Sequence, residues 1–254
     1  MTRVLLDARV RVGGVGAYAA ALEAGLESEP GVVVRVFSRG RPFRPWGRAA
    51  AAASAARWAA DLVHGLHVEA PPCPQPLVVT VPDLIPLDFP ASMPSSLRRA
   101  VYRRLLDTTL RRANRLITPS PATATSLVRH GADPQQVAVV PLAISPAFRP
   151  CSRELRTAAR RRFAGGRPYL ATAVTGRAHK NAPALAAAAA RLRDVAVIST
   201  GRPIPGCGGV EFIGVLDPPT VRAFYAGAEA MLNLSHVEGF GLPAAEALAC
   251  GTPV

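Results

Sequence analysis

The sequence predicts an α/β fold made of two domains, each built around a parallel sheet. Short β-branched or apolar segments alternate with longer helical or alanine-rich stretches, which is the pattern of βαβ units. The 254 residues are 49% hydrophobic, which is enough apolar material for sizeable cores. A segment bounded by prolines, Pro146–Pro150, divides the predicted strands into two series.

Each series of predicted strands defines one domain. The first series comprises Val4–Leu6, Val32–Phe37, Leu62–His64, Leu77–Val81, Arg115–Thr118 and Val137–Pro141. The second comprises Tyr169–Thr175, Val195–Thr200, Val210–Ile213 and Ala230–Leu234. We therefore expect a first domain over residues 1–150 and a second over residues 151–254, both of the Rossmann type. Because such sheets usually have about six strands, we expect the second domain to be incomplete, as in a truncated chain.

The composition excludes several classes of protein. No apolar run reaches the roughly 18–20 residues of a membrane-spanning helix, and no secretory segment is evident, so a cytoplasmic protein is expected. The four cysteines form no C-x-x-C pair and no D-x-D occurs, so neither a metal site nor a cofactor is expected. The formal net charge of +13 is almost wholly due to arginine, since Lys180 is the single lysine. Such a charge favours an anionic partner.

Residues 235–251 carry the most chemical information. They follow an apolar strand, and Pro243 suits the first position of a helix. The loop before that helix therefore presents backbone N–H groups at a helix N-terminus, where an anion binds well. The candidate anion-binding residues are Gly239, Phe240, Gly241 and Leu242.

Two carboxylates flank this loop. Glu238 precedes it, and Glu246 lies one turn into the helix, on the side expected to face the same cleft. A carboxylate accepts hydrogen bonds from hydroxyls, so the arrangement suits a nucleotide-sugar. The alternative is that Glu246 only complements the helix dipole and that the glycines form a turn.

The sequence resembles the retaining glycosyltransferases of family 4, which have the GT-B fold. The segment SHVEGFGLPAAEALACGTPV resembles their E-x7-E signature over its whole length. Three further segments agree in order and spacing: RVGGVGAYAAAL, RLITPSPATATSLVRHGADPQQVAVVPLAISPAFRP and AVTGRAHKN. The resemblance covers nearly the whole chain and implies two Rossmann-type domains, the second of which binds a nucleotide-sugar.

The segment Gly176–Lys180 follows the first strand of the second domain, at the sheet edge where ligands bind. Arg177 and Lys180 are both able to reach a diphosphate, and the resemblance implies that they stabilise the leaving nucleoside diphosphate. His179 is a weaker candidate for the same contact. The alternative is that these are solvated charges on a loop.

Two features of the first domain bear on ligand binding. By resemblance, the glycine-rich loop with Gly14 and Gly16 faces the donor phosphates or the acceptor, although a plain turn explains it equally well. Pro82 occupies the place of a histidine that contacts the transferred sugar in the family. Asp83 either keeps part of that contact or only forms a turn.

The stretch from residue 95 to residue 117 has the pattern of a basic amphipathic helix. We expect Leu97, Val101, Leu105 and Ala113 near one side and most of the arginines on the other. Such a charged face is usually only solvated. The functional alternative is peripheral contact with an anionic membrane, at its inner face.

Together these features predict a retaining hexosyltransferase that moves a hexose from a nucleoside-diphosphate sugar to a sugar or lipid-linked acceptor. By resemblance, Glu238 holds the sugar hydroxyls, Glu246 the ribose diol, and Arg177 and Lys180 the diphosphate. The alternative is an inactive, truncated nucleotide-sugar-binding remnant. No nucleic-acid partner is expected, because no matching motif occurs and only 6% of residues are aromatic.

Overall fold

The computed structural model describes residues 1–10, 13–40, 43 and 45–254, and of Pro45 the backbone only. The chain forms two compact units, Met1–Ala143 and Ile144–Val254. Each unit contains its own parallel sheet, so the predicted α/β class is confirmed.

Unit 1 is a six-stranded parallel sheet with helices along the chain between its strands. The strands are β1 (Thr2–Asp7), β2 (Val32–Phe37), β3 (Leu62–Gly65), β4 (Leu77–Thr80), β5 (Arg115–Thr118) and β6 (Val137–Val139). The helices are α1 (Gly13–Glu27), α2 (Pro45–Trp58), α3 (Ile85–Asp88), α4 (Ser96–Arg112) and α5 (Pro121–Arg129). The strand order is β2-β1-β3-β4-β5-β6, so the chain direction across the sheet reverses beside β1. Ligands of such sheets bind where the order reverses, outside the carboxyl ends of the strands.

The core of unit 1 explains why its strands form where they do. The central strands are β-branched or leucine-rich on both faces, as a sheet covered on two sides requires. Leu5, Val63, Val79 and Leu116 are fully buried. Serine side chains begin two of the helices, since Ser95 accepts from the backbone N–H of Arg98 and Ser120 from that of Thr123.

Unit 2 has a smaller sheet of four parallel strands. It comprises α6 (Arg153–Ala164), β7 (Tyr169–Thr172), α7 (Ala182–Ala189), β8 (Ala196–Ser199), β9 (Val210–Phe212), α8 (Pro218–Gly227), β10 (Ala230–Met231) and α9 (Leu242–Ala249). The strand order is β10-β7-β8-β9. Tyr169 and Phe224 are fully buried and stacked, with ring centroids 5.6 Å apart. They anchor β7 against α8.

Two boundaries differ from the sequence-based expectation. Residues 144–150, expected in the first domain, belong to unit 2, because Phe148 packs against its core and Arg222 donates to the carbonyls of Arg149 and Pro150, both at 3.1 Å. The helix expected over residues 95–117 ends at Arg112. Arg115 already belongs to β5, because its segment continues the buried sheet.

Candidate functional site

The candidate site lies at the carboxyl end of the unit 2 sheet, where two loops meet. Strands β7 and β10 are parallel neighbours, with Leu170 beside Ala230 and Ala171 beside Met231. The loops that follow the two strands therefore leave the same edge side by side. An open cleft of about 340 Å³, a volume that includes space open to solvent, lies between them.

The two loops are joined by their backbones as well as by side chains. His236, in the loop after β10, donates its backbone N–H to the carbonyl of His179 at 2.8 Å. His179 is buried in the short 3-10 turn Ala178–Lys180, and its burial lowers the pKa of its imidazole. The turn is thereby fixed against the loop that carries Glu238.

Lys180 and Glu238 form an ion pair in the wall of this cleft. The Lys180 Nζ donates to Oε1 of Glu238 at 2.6 Å. The side chains are 16% and 23% exposed, so solvent still reaches both. Lys180 and Glu238 are two of the residues that the sequence nominated, and the structure brings them together. In the protein without ligand, each charge compensates the other.

The start of α9 also faces this edge of the sheet. Gly241 precedes the helix with a φ of +84°, a left-handed conformation that only glycine adopts at low cost. No side chain among the described residues caps α9, so the N–H groups of its first turn are available to an anion. Pro243 lines the cleft beside this turn.

Glu246 lies one turn further along α9, on the same side as Pro243. It does not line the cleft itself. Its carboxylate is half-buried near Tyr225 and Cys250, and burial raises its pKa to about 7. Within the described ranges, Glu246 has neither a hydrogen bond nor an ion pair from its side chain. A partly buried carboxylate without a donor is able to accept hydrogen bonds from a ligand.

Arg177 is placed differently from Lys180. It precedes the 3-10 turn, and its side chain is exposed, outside the cleft lining. Its guanidinium has no hydrogen-bond or ion-pair partner in the part of the chain that the structure describes. Its guanidinium is therefore free to bind an anion.

In unit 1, the residues that the sequence predicts to bind ligand belong to a helix start and a turn. Gly14 and Gly16 lie within the first turns of α1, not in a loop before it; Arg11 and Val12 are outside the described residues. The helix begins at Gly13, where a φ of +60° supplies the turn. Asp83 accepts from the backbone N–H of Ile85 at 3.0 Å, as in an Asx turn.

Sequence reasoning missed the polar groups buried near the carboxyl ends of the unit 1 strands. Thr80 Oγ1 lies 2.8 Å from His64 Nε2 and 3.0 Å from the Tyr18 hydroxyl. Burial lowers the pKa of His64 to about 4, so the imidazole is neutral near pH 7. Asp7 binds Arg9 through both carboxylate oxygens, at 2.7 and 2.8 Å. No motif marks these residues, and their positions at strand ends are the one available signal.

Asn233 and Ser235 were also missed. They line the unit 2 cleft because they directly follow β10. Within the described residues, no group of three His, Cys, Asp or Glu side chains is placed to hold a metal ion. No helix of the described chain has the length and apolar character needed to cross a membrane.

Two parallel-sheet units, with a cleft at the carboxyl edge of the second, define the GT-B class of α/β proteins, and solved structures agree. Sucrose-phosphate synthase from Thermosynechococcus elongatus has a TM-score of 0.81 at 18% identity, and HepE from Anabaena, in complex with UDP and glucose, has 0.76 at 19%. Both alignments cover 100% of this chain and 80% of the other. The catalytic domain of starch synthase IV from Arabidopsis thaliana, bound to ADP and acarbose, has 0.69 at 13%, covering 99% and 82%.

The family follows from the sequence profile. Residues 10–148 match the profile of Glycosyltransferase Family 4, and residues 208–254 match that of Glycosyl transferases group 1. The chain belongs to glycosyltransferase family 4. Its class is therefore that of a glycosyltransferase with the GT-B fold. No curated protein matched the sequence.

Proposed function

We propose that this protein transfers a hexose from a nucleoside-diphosphate sugar to an acceptor hydroxyl with retention of anomeric configuration. The observation that carries the proposal is the Lys180–Glu238 ion pair, in a cleft that opens beside the uncapped start of α9. This pair places a cation that suits phosphates beside a carboxylate that suits sugar hydroxyls. The HepE structure holds UDP and glucose, and the starch synthase structure holds ADP, which supports a nucleotide-sugar donor.

In this proposal, different residues bind the diphosphate, the sugar and the ribose of the donor. Lys180 and Arg177 take the diphosphate, together with the backbone at the start of α9, Gly239 to Leu242. Glu238, released from Lys180 by the phosphate, accepts from the sugar hydroxyls. Glu246 accepts from the ribose diol, which explains why a half-buried carboxylate is left without a donor.

In the reaction step, the bond from the sugar anomeric carbon to the diphosphate oxygen breaks, and the acceptor oxygen bonds to that carbon on the same face. The proton of the acceptor hydroxyl passes to the departing phosphate oxygen. Negative charge develops on the diphosphate, and fixed cations at Lys180 and Arg177 stabilise it. The E-x7-E spacing of Glu238 and Glu246 supports the retaining course by family resemblance.

Unit 1 supplies the acceptor side in this proposal. Gly14 and Gly16 lie at the start of α1, and the buried groups of Thr80, His64 and Asp7 lie near the carboxyl ends of the strands, where ligands of such sheets bind. A sugar or a lipid-linked sugar fits this chemistry. We assign the activity to the cytoplasm.

The rival function is a nucleotide-sugar-binding protein without turnover. Incubation with UDP-, GDP- and ADP-hexoses carrying radiolabel, over a panel of sugar acceptors, separates the two. Labelled product whose anomeric configuration equals that of the donor supports the proposal, and an inverted product contradicts the retaining course. A thermal shift with a donor but no product on any acceptor, including water, favours the rival.

A further inference from the structure

Helix α4 of unit 1 exposes a stripe whose composition differs from that of an ordinary solvated face. Residues spaced by four, three, four and three lie on one side of a helix. On α4 this spacing selects Leu97, Val101, Arg104, Thr108 and Arg111. We call these five residues the α4 stripe. It is about 21 Å long at 1.5 Å per residue.

The apolar end of the α4 stripe is open to solvent. Leu97 is 74% exposed and Val101 is 47% exposed. The opposite side of α4 is buried through Tyr102, Leu106 and Thr109. We expected Leu97 and Val101 on the side opposite most of the arginines, and this expectation is wrong. The side of the helix that packs against the core is the one that carries Tyr102, so Leu97 and Val101 lie on the exposed side with Arg104 and Arg111.

The arginines of α4 fall into two groups. Arg99, Arg103 and Arg112 donate to groups of the protein. Arg98, Arg104 and Arg111 are exposed, and in the described residues their guanidinium groups have no partner. The single carboxylate on the helix, Asp107, is occupied by Arg103 at 2.9 Å. The α4 stripe thus has free positive charge and no free negative charge.

We infer that the α4 stripe docks this protein on an anionic lipid surface, with Leu97 and Val101 entering the acyl boundary and Arg104 and Arg111 facing the headgroups. Charge complementarity identifies the occupant. A second copy of this chain would set arginine against arginine, which is repulsive. Nucleic acid would satisfy the arginines but would leave the two aliphatic side chains in water. An anionic bilayer satisfies both groups.

The docking role is independent of the proposed transfer activity and is tested without it. The full chain is mixed with vesicles of equal parts phosphatidylglycerol and phosphatidylcholine, or of phosphatidylcholine alone, and sedimented at low and high salt. We expect binding to the anionic vesicles only, weakened by salt. Arg104→Glu with Arg111→Glu should lower the partition coefficient by about tenfold or more, since each arginine near such a surface contributes appreciably.

Two further variants make the result specific to the α4 stripe. Arg153→Glu with Arg156→Glu on α6 removes the same charge from exposed arginines without partners among the described residues, and should bind as the wild type does. Leu97→Ser with Val101→Ser keeps every charge and should still lower binding several-fold. Melting curves verify that all variants fold.

Three outcomes overturn the inference. In the first, the wild type stays in the supernatant with anionic vesicles. In the second, the α6 variant loses as much binding as the α4 charge variant, which reduces the effect to net charge. In the third, the serine variant binds as tightly as the wild type and duplex DNA displaces both from vesicles, which identifies a phosphate-binding surface for nucleic acid instead.

Discussion

The ammonium of Lys180 lies 2.6 Å from a carboxylate oxygen of Glu238, although the two residues are 58 positions apart in the sequence. The pairing of β10 with β7 brings their loops together, and the hydrogen bond from the backbone of His236 to that of His179 fixes them. The pair keeps a cation and an anion in one cleft wall without leaving either charge uncompensated. In the proposed function, a diphosphate that binds Lys180 frees Glu238 for the sugar hydroxyls.

Loss of the cation at Lys180 should abolish most turnover while the fold persists. We expect Lys180→Ala to lower turnover by about 10²–10³, as for loss of other fixed donors to a transition-state anion. The free energy of unfolding should change by about 1 kcal/mol or less, because both side chains are partly solvated. Steady-state kinetics and urea denaturation of the same preparations measure the two effects.

Arg177→Ala should show a loss of the same order, since this side chain has the same proposed role. Arg193→Ala, another exposed arginine of unit 2 without a partner in the described residues, serves as control and should retain full turnover. Wild-type kcat in Lys180→Ala would remove Lys180 from the mechanism. If Arg177→Ala and Arg193→Ala lose the same turnover, the effect of Arg177 comes from the net positive charge of unit 2 and not from a specific contact.

Glu246 should make nucleotide affinity depend on pH. Burial raises its pKa to about 7, and the ionised form accepts from ribose hydroxyls through both oxygens and more strongly than the protonated form. The affinity for nucleoside diphosphate should therefore rise by about tenfold from pH 6 to pH 8, as the ionised fraction grows. Binding should release a proton, which calorimetry in buffers of different ionisation enthalpy detects.

Glu246→Gln isolates this effect. At pH 8 it should bind nucleotide about 1–3 kcal/mol more weakly than the wild type, the range for hydrogen bonds to charged groups. A 2′-deoxynucleotide should lose affinity for the wild type and little for the variant. A pH profile that keeps its slope in Glu246→Gln, or equal discrimination of the deoxynucleotide by both proteins, contradicts the ribose contact.

The same pKa sets the pH dependence of stability. Because the carboxyl of Glu246 holds its proton more tightly folded than unfolded, its contribution is present below about pH 4.5 and is lost as pH rises through about 7. At pH 8, Glu246→Gln should therefore be more stable than the wild type, by roughly 1–3 kcal/mol. Urea denaturation at pH 5 and pH 8 tests this, and an equal difference at both pH values contradicts it.

Strand positions were predictable from the sequence because they depend on local composition. Val32–Phe37 and Arg115–Thr118 form as expected, since β-branched runs favour extended backbone in a covered sheet. The loop from Gly239 to Gly241 also precedes a helix, as Pro243 indicates. Such features require only neighbours along the chain.

Features that depend on tertiary packing were not predictable. Strand order decides which residue pairs with Lys180. No local feature of the sequence indicates that this partner is Glu238. Leu97 is exposed because the core accepts the side of α4 that carries Tyr102. Gly16 lies inside α1, although a glycine-rich segment suggests a loop, because only Gly13 takes the positive φ of the turn.

Gly227 should tolerate no side chain at the contact of α6 with α8. A Cβ there would lie 2.8 Å from the Ala159 Cβ and 2.8 Å from the Tyr169 hydroxyl oxygen. We expect Gly227→Ala to lower the free energy of unfolding by about 1–3 kcal/mol through overpacking. Gly25→Ala, where a Cβ meets nothing within 4 Å, is the helical control and should stabilise by about 0.5–1 kcal/mol. Equal effects of both substitutions would exclude overpacking.

The buried charges of unit 1 should make Arg9 one of its most sensitive positions. The side chain of Arg9 is 1% exposed, and it binds Asp7 at 2.7 Å and lies 3.4 Å from Glu69. Arg9→Ala leaves two buried carboxylates without their cation, so the free energy of unfolding should fall by about 3–5 kcal/mol.

The two carboxylates of Arg9→Ala then favour protonation. The loss of stability relative to the wild type should therefore shrink as pH falls from 7 to 5, within about a unit of ordinary carboxyl pKa values. Urea denaturation measures both effects, with Arg39→Ala, an exposed arginine of the same unit, as control. A deficit that is independent of pH would show that Arg9 stabilises the fold by packing and not by charge.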